Sequence, residues 1–76
     1  MGGDVMTFGE WIRNKRQANG LTLEDVGNAI GMGKSSVSKL ERGVSYGIHI
    51  DRISPLCKVL NVSTDDLLDA WGKYGK

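Results

Sequence analysis

The sequence predicts an all-α fold, a compact bundle of five short helices. Apolar residues recur at helical spacing, and the alternating β-branched runs that are typical of strands are almost absent. Four helical stretches are each followed by a glycine, as expected where a chain leaves a helix in the left-handed conformation. These glycines are Gly20, Gly31, Gly43 and Gly72. A length of 76 residues suits one domain.

Capping residues and apolar faces predict where each helix lies. The predicted ranges are 8–19, 23–30, 34–42, 52–60 and 64–71. Thr7 is the expected N-cap of the first helix, and Glu10 three residues later completes a capping box. Thr22 and Ser63 are the expected N-caps of the second and fifth helices.

The start of the fourth helix is ambiguous because of Pro55, which removes a hydrogen bond if it lies beyond the first turn. Either Asp51 caps a distorted first turn, or Ser54 caps a shorter helix with Pro55 at its first position. The first alternative is preferred. The expected organisation is then a flexible arm over 1–7, a helical domain over 8–71 and a flexible tail over 72–76.

Composition excludes several classes of protein. Hydrophobic residues make up 39% and charged residues 25% of the chain, and the net charge is +1, so charge alone does not indicate a nucleic-acid partner. Cys57 is the only cysteine and His49 the only histidine, so we expect no disulfide within the chain and no metal site. No signal peptide, membrane-length apolar run, catalytic serine arrangement or phosphate-binding loop is recognisable. We therefore expect a cytoplasmic protein that is not an enzyme and has no cofactor.

The most informative segment is 22–43, where two helices of about two turns flank Gly31-Met32-Gly33. Such a short turn forces the helices to cross steeply. Gly27, in the middle of the first of them, predicts a close backbone approach, since a glycine there costs about 1 kcal/mol relative to alanine. The predicted apolar wedge between the helices comprises Val26, Ile30, Val37 and Leu40.

This segment resembles the helix-turn-helix of the Xre/Cro and lambda-repressor-like family. Residues 12–16 resemble the family's I-R-x-x-R pattern in the first helix, and 37–43 resemble its I-S-x-[IW]-E-x-G ending. Residues 56–63 resemble its apolar-A-x-x-L-G-V-S segment, with Cys57 in place of alanine, and 65–68 fit its last helix. The resemblance covers roughly Phe8 to Leu68.

The resemblance implies that the third helix enters the major groove of duplex DNA. The expected base contacts are Lys34, Ser35, Ser36 and Lys39. The expected phosphate contacts are Arg13, the backbone of Leu23, Ser38, Arg42, Ser45 and Tyr46. The alternative is that the polar residues 34–38 form an ordinary solvated face, and Arg13 an ordinary surface arginine.

Two further sets of residues follow from the resemblance. Arg16 and Glu41 are expected to form a partly buried ion pair that links the first and third helices, with a structural role. Leu68, Trp71 and Tyr74 are expected to form a dimerisation patch. For Trp71, the alternative is that its ring folds back onto the core of the monomer.

Two residues depart from the family pattern, and one loop has an unusual composition. Leu23 stands where the family commonly has a glutamine that reaches a phosphate, so it is either an exposed apolar group or a thymine-methyl contact. Gly33 stands where relatives often have a serine or threonine cap, which predicts a less firmly held start of the third helix. The loop 44–50 is unusually apolar and either folds onto the core or binds a partner.

The sequence thus predicts a small bacterial or phage transcription regulator, most simply a repressor that binds a palindromic operator as a homodimer. Half-sites would lie about 34 Å apart, one turn of DNA. The alternative is a protein-interaction module, such as an antitoxin-like protein, that keeps the fold and binds a protein partner through 44–50 and the C-terminal aromatic residues.

Overall fold

The computed structural model describes residues 6–43 and 50–74, and within them it contains five α-helices and no strand. The helices are α1 (Phe8–Ala18), α2 (Leu23–Ile30), α3 (Lys34–Glu41), α4 (Ile50–Leu60) and α5 (Thr64–Tyr74). The predicted all-α fold is confirmed, and the first three helices agree with their predicted bounds to within one residue.

Side-chain caps set the starts of α1, α2 and α5, as predicted. Thr7 Oγ1 accepts the Glu10 N–H at 3.1 Å, and the Glu10 carboxylate accepts the Thr7 N–H at 2.9 Å. Thr22 and Asp25 make the same reciprocal pair, with both distances 3.0 Å. Ser63 caps α5 through one hydrogen bond of 3.0 Å. Each cap satisfies N–H groups that the first turn of a helix leaves unpaired.

The helix α4 starts two residues earlier than predicted, at Ile50, and Pro55 lies in its interior. Neither Asp51 nor Ser54 is its N-cap, so both alternatives were wrong. Pro55 has no N–H to donate to the carbonyl one turn earlier. The helix continues through this position because its next turns supply the core with buried side chains, whose packing outweighs one missing hydrogen bond. These side chains are Leu56, Cys57 and Leu60.

The last helix, α5, ends three residues later than predicted, at Tyr74. Gly72 therefore lies within the helix and does not follow it, and residues 72–74, expected in a flexible tail, are helical. The other three turn glycines adopt the predicted left-handed conformation, with φ of 68° at Gly20, 75° at Gly31 and 77° at Gly43.

One hydrophobic core joins all five helices. Its buried apolar residues are Phe8, Ile12, Val26, Ile30, Val37, Leu40, Leu56, Cys57, Leu60, Leu67 and Ala70. The predicted wedge of Val26, Ile30, Val37 and Leu40 is thus confirmed. The helices α2 and α3 pack most extensively on each other, and α5 packs against α1 and α4. None of the helices in residues 6–43 and 50–74 is long and apolar enough to cross a membrane.

Candidate nucleic-acid interface

A short turn positions α3 against α2. Gly31 takes the left-handed conformation, and the Met32 N–H then donates to the Gly27 carbonyl at 2.8 Å. A Cβ added at Gly27 would overlap the Met32 carbonyl oxygen, so only glycine fits at this position. The mid-helix glycine therefore has the predicted packing reason, although its close neighbour is the turn and not the facing helix.

The helix α3 buries one face and presents a polar one. Val37 and Leu40 are buried in the core, as the helical spacing requires. The side chains that project from the helix outside the core are polar or cationic. Lys34, Ser35, Ser36 and Lys39 are exposed, and Ser38 is half-buried.

An open groove runs along this polar face and includes the first residue of α2. It is lined by Leu23, Lys34, Ser35, Ser38, Lys39 and Arg42. Three of these six residues are cations and none is acidic, so the groove favours anions despite the net charge of +1. The groove unites three of the four residues expected to contact bases with three of those expected to contact phosphate.

The remaining predicted contact residues are placed differently. Arg13 and Ser36 are exposed, on α1 and α3 respectively, but they do not line the groove. Ser45 and Tyr46, together with the apolar loop 44–50 to which they belong, fall outside the residues that the structure describes, apart from the helical backbone of Ile50.

The start of α2 offers backbone donors beside the groove. The capping box pairs Thr22 with Asp25, and the Val26 N–H donates to the Thr22 carbonyl at 3.2 Å. The Leu23 N–H precedes the first intrahelical hydrogen bond, so it has no acceptor within α2. Hydrogen bonds from Thr22, first of all from its backbone N–H, hold the pKa of the Asp25 carboxyl below its ordinary value of 3.8.

The ion pair between Arg16 and Glu41 fixes α3 to α1. Arg16 Nε donates to Glu41 Oε2 at 2.7 Å, and Arg16 Nη2 donates to Glu41 Oε1 at 3.1 Å. A third bond, of 2.8 Å, runs from Arg16 Nη1 to the Leu21 carbonyl. The hydrogen bond to Glu41 raises the pKa of Arg16 above its ordinary value, so the guanidinium stays charged. The structure thus brings together the two residues that the family resemblance paired, and they link α1 to α3 as expected.

Gly9 is a positioning residue that the sequence reasoning missed. It is buried in the first turn of α1, and a Cβ there would overlap the carbonyl oxygens of Leu40 and Glu41. The absence of a side chain at Gly9 therefore lets α1 approach the end of α3 closely. The signal was available in the sequence, as a glycine just inside a helix that has good caps.

Arg52 was also missed. Its Nε donates to the Ile30 carbonyl at 3.0 Å and satisfies one of the unpaired carbonyls at the end of α2. This bond ties α4 to the helix-turn-helix. No sequence signal distinguishes Arg52 from a surface arginine, because its partner is a main-chain atom 22 residues away.

The three residues of the predicted dimerisation patch lie on α5. Leu68 is 51% exposed and Trp71 is 41% exposed, whereas Tyr74 is half-buried against the core. Trp71 packs edge-on against Phe8, with ring centroids 5.1 Å apart. The ring of Trp71 therefore covers part of the monomer core and still presents apolar surface outside.

No cluster of three potential metal ligands is present in residues 6–43 and 50–74. Cys57 is buried as a free thiol among core side chains. His49 lies outside the described residues.

Comparison with known families adds an independent observation. A family model described as helix-turn-helix matches residues 12–67, which include α2, α3 and the groove. The chain belongs to the Xre and lambda-repressor-like helix-turn-helix family.

Solved structures of regulators resemble the fold of this family member. The P22 c2 repressor in complex with a synthetic operator has a TM-score of 0.74 and 26% identity, over 84% of this chain and 96% of that one. SinR, a master regulator for biofilm formation, in complex with DNA has a TM-score of 0.72 and 30% identity, over 83% of this chain and 100% of that one. The solution structure of the DNA-binding domain of the P22 c2 repressor has a TM-score of 0.75 and 25% identity, over 90% of this chain and 88% of that one. No curated protein sequence matches the chain significantly.

Both departures from the helix-turn-helix family pattern that fall on described residues are visible in the structure. Gly33 is the N-cap of α3, in an extended conformation, and no side chain caps this helix. Leu23 is half-buried, packs against the core and lines the groove.

Proposed function

We propose that the chain reads double-stranded DNA with α3 as a homodimer on a palindromic operator, and that it represses a nearby promoter. As a member of its family, the chain is a DNA-binding transcription regulator. The single observation that carries the proposal is the groove along α3, in which cations and short hydroxyl side chains are grouped and none of the described lining residues is acidic. The proposal assigns the chain no catalytic role and places its action in the cytoplasm.

The proposed contact residues, within the groove and outside it, have different roles. Lys34 and Lys39 would donate to guanine O6 and N7, and Ser35 and Ser36 would contact neighbouring base edges. Arg42, Ser38, Arg13 and the Leu23 N–H would bind phosphates, which fix the register of the helix on the duplex. Ser45 and Tyr46 would extend the phosphate contacts. The buried Arg16–Glu41 pair would hold α3 in the orientation that these contacts need.

The apolar surface at Leu68 and Trp71 supports the proposed dimer, because two large exposed apolar side chains one turn apart on a helix form a contiguous patch that an interface could bury. The same surface also supports the alternative of a protein-interaction module that has a different protein partner. DNA binding distinguishes the two candidates, since the second does not require it.

The first experiment is selection of bound duplexes from a random pool, with fluorescence anisotropy at low and moderate salt. Enrichment of a palindrome and an affinity that falls steeply with salt are expected, because each neutralised phosphate releases counterions. Absence of both would favour the protein-interaction module.

A charge-reversal pair tests the assignment of α3. The double variant Lys34→Glu with Lys39→Glu should lose DNA binding and remain folded by circular dichroism, because both side chains are exposed.

The single variant Lys58→Glu is a matched control for Lys39→Glu, since each replaces an exposed lysine in the last turn of its helix. Only Lys39→Glu should weaken binding, by roughly tenfold or more. Equal effects of the two single variants would contradict the assignment.

A further inference from the structure

Among the residues that the structure describes, Leu23 is the one apolar side chain that lines the groove along α3. The other lining residues are two lysines, an arginine and two serines. Leu23 is the first residue of α2, so the capping box at Thr22 and Asp25 fixes its backbone. Its side chain packs against the core and is only half-buried, which leaves part of it in the groove. Its position is therefore set by the fold and not by a flexible loop.

An apolar group in this place has few suitable contacts on a DNA duplex. The base edges in the major groove carry hydrogen-bond donors and acceptors, and their one large apolar group is the C5-methyl of thymine. Phosphate oxygens gain nothing from a leucine side chain, and burying them against it would cost their hydration. The deoxyribose ring is the other apolar surface, but it is the same at every nucleotide and carries no sequence information.

We propose that Leu23 is a specificity-determining residue that selects a thymine methyl group next to the bases read by α3. This inference rests on the proposed function, since it assumes that the groove receives the major groove of DNA. The Leu23 N–H would bind the phosphate and the Leu23 side chain would cover the methyl group. One residue would then supply both a positioning contact and a sequence-reading contact.

The test uses the full chain and the duplex that random-pool selection enriches. Each thymine of that duplex is replaced in turn by deoxyuridine, which removes only the C5-methyl group. In the wild type, replacement of a single thymine, at one particular position in either half-site, should weaken binding about fourfold, as expected for one buried methyl group. In Leu23→Ala the same replacement should change the Kd by less than about 1.5-fold, because the side chain that covers the methyl group is gone.

Two further variants separate recognition from folding. Leu21→Ala is the matched control, because Leu21 is also a half-buried leucine packed against the core but does not line the groove. It should keep the full methyl effect. Leu23→Gln keeps good helix propensity and replaces the branched apolar end of the side chain with an amide. It should also lose the methyl effect, and it serves as the test if Leu23→Ala does not fold.

The outcomes distinguish this inference from the proposed function. A methyl effect that Leu23→Ala and Leu23→Gln lose and Leu21→Ala keeps supports the inference. If a duplex is enriched but no deoxyuridine replacement affects the wild type differently from the Leu23 variants, Leu23 reads no methyl group and only this inference fails. If no duplex is enriched, both the proposed function and this inference fail.

Discussion

Arg16 links the helix-turn-helix to α1 through three hydrogen bonds. It donates to both oxygens of Glu41 and to the Leu21 carbonyl, so it connects the end of α3 and the segment before α2 to a single guanidinium. The side chain of Glu41 is only 6% exposed. A carboxylate this buried depends on its partner, because water cannot replace the lost interaction.

Arg16→Met should therefore lower the free energy of unfolding by about 3 kcal/mol, since it leaves the buried Glu41 carboxylate unpaired. Urea denaturation measures this change. Arg13→Met is the matched control on the exposed side of α1, and should change stability by less than about 0.5 kcal/mol while it weakens DNA binding. Equal losses of stability in the two variants would contradict the structural role of Arg16.

Asp25 gives the chain an acid-sensitive helix cap. Its pKa is lowered in the folded state by hydrogen bonds from Thr22, so the carboxylate contributes stability above its ordinary pKa of 3.8. That contribution should be lost as the pH falls below this value and through the lower pKa of the folded state. The variant Asp25→Asn has no carboxyl group that titrates at this position. The free energy of unfolding of the wild type should therefore approach that of the variant below about pH 4. An NMR titration in which Asp25 ionises at its ordinary pKa would contradict this prediction.

At the scale of the elements, the geometry of the helix-turn-helix depends on two glycines with opposite roles. Gly27 excludes any side chain because the Met32 carbonyl lies against it. Gly33 has open space where a Cβ would lie, and its φ of −73° is one that any residue adopts. The close approach of the turn requires a glycine at position 27, whereas nothing in the described residues requires a glycine at position 33.

Gly27→Ala and Gly33→Ser should therefore change stability in opposite directions. Gly27→Ala should cost about 1–3 kcal/mol, because overlap with the turn outweighs the better helix propensity of alanine. Gly33→Ser should gain about 0.5 kcal/mol, since it supplies the side-chain cap that α3 lacks and restricts the unfolded chain. Urea denaturation of both variants measures the difference, and a stabilising Gly27→Ala would contradict the close contact at the turn.

At the scale of the whole molecule, three cations are grouped in one groove although the net charge is small. The cations Lys34, Lys39 and Arg42 share one groove, and Glu41 beside them is neutralised by Arg16. Three exposed aspartates lie on α5, namely Asp65, Asp66 and Asp69. This distribution explains how a chain with a net charge of +1 can still have a surface suited to a polyanion.

The proposed dimer gives a prediction for the assembled molecule. Leu68 is 51% exposed, so Leu68→Glu should leave the monomer folded but weaken self-association, because it places like charges across a two-fold interface. Sedimentation equilibrium measures the shift toward monomer. Gln17→Glu serves as the control, because it adds the same single negative charge at an exposed position of α1. Unchanged self-association in Leu68→Glu would place the dimer contact elsewhere.

The sequence by itself determined the number of helices within residues 6–43 and 50–74, four of the five helix starts, three of the four glycine turns and the apolar wedge of the helix-turn-helix. These are local properties, because capping, left-handed turns and helical spacing depend on residues within a few positions of each other. The pairing of Arg16 with Glu41 spans 25 positions, and the sequence indicated it only through resemblance to a family.

Tertiary structure decided the remainder. The run of α4 through Pro55 and the extension of α5 to Tyr74 depend on packing against the core, which can outweigh local propensity. The close approach at Gly9, the bond from Arg52 to Ile30 and the position of Leu23 in the groove join residues that are distant in the chain. Only the folded arrangement brings such groups together, because no local pattern encodes which distant atoms will meet.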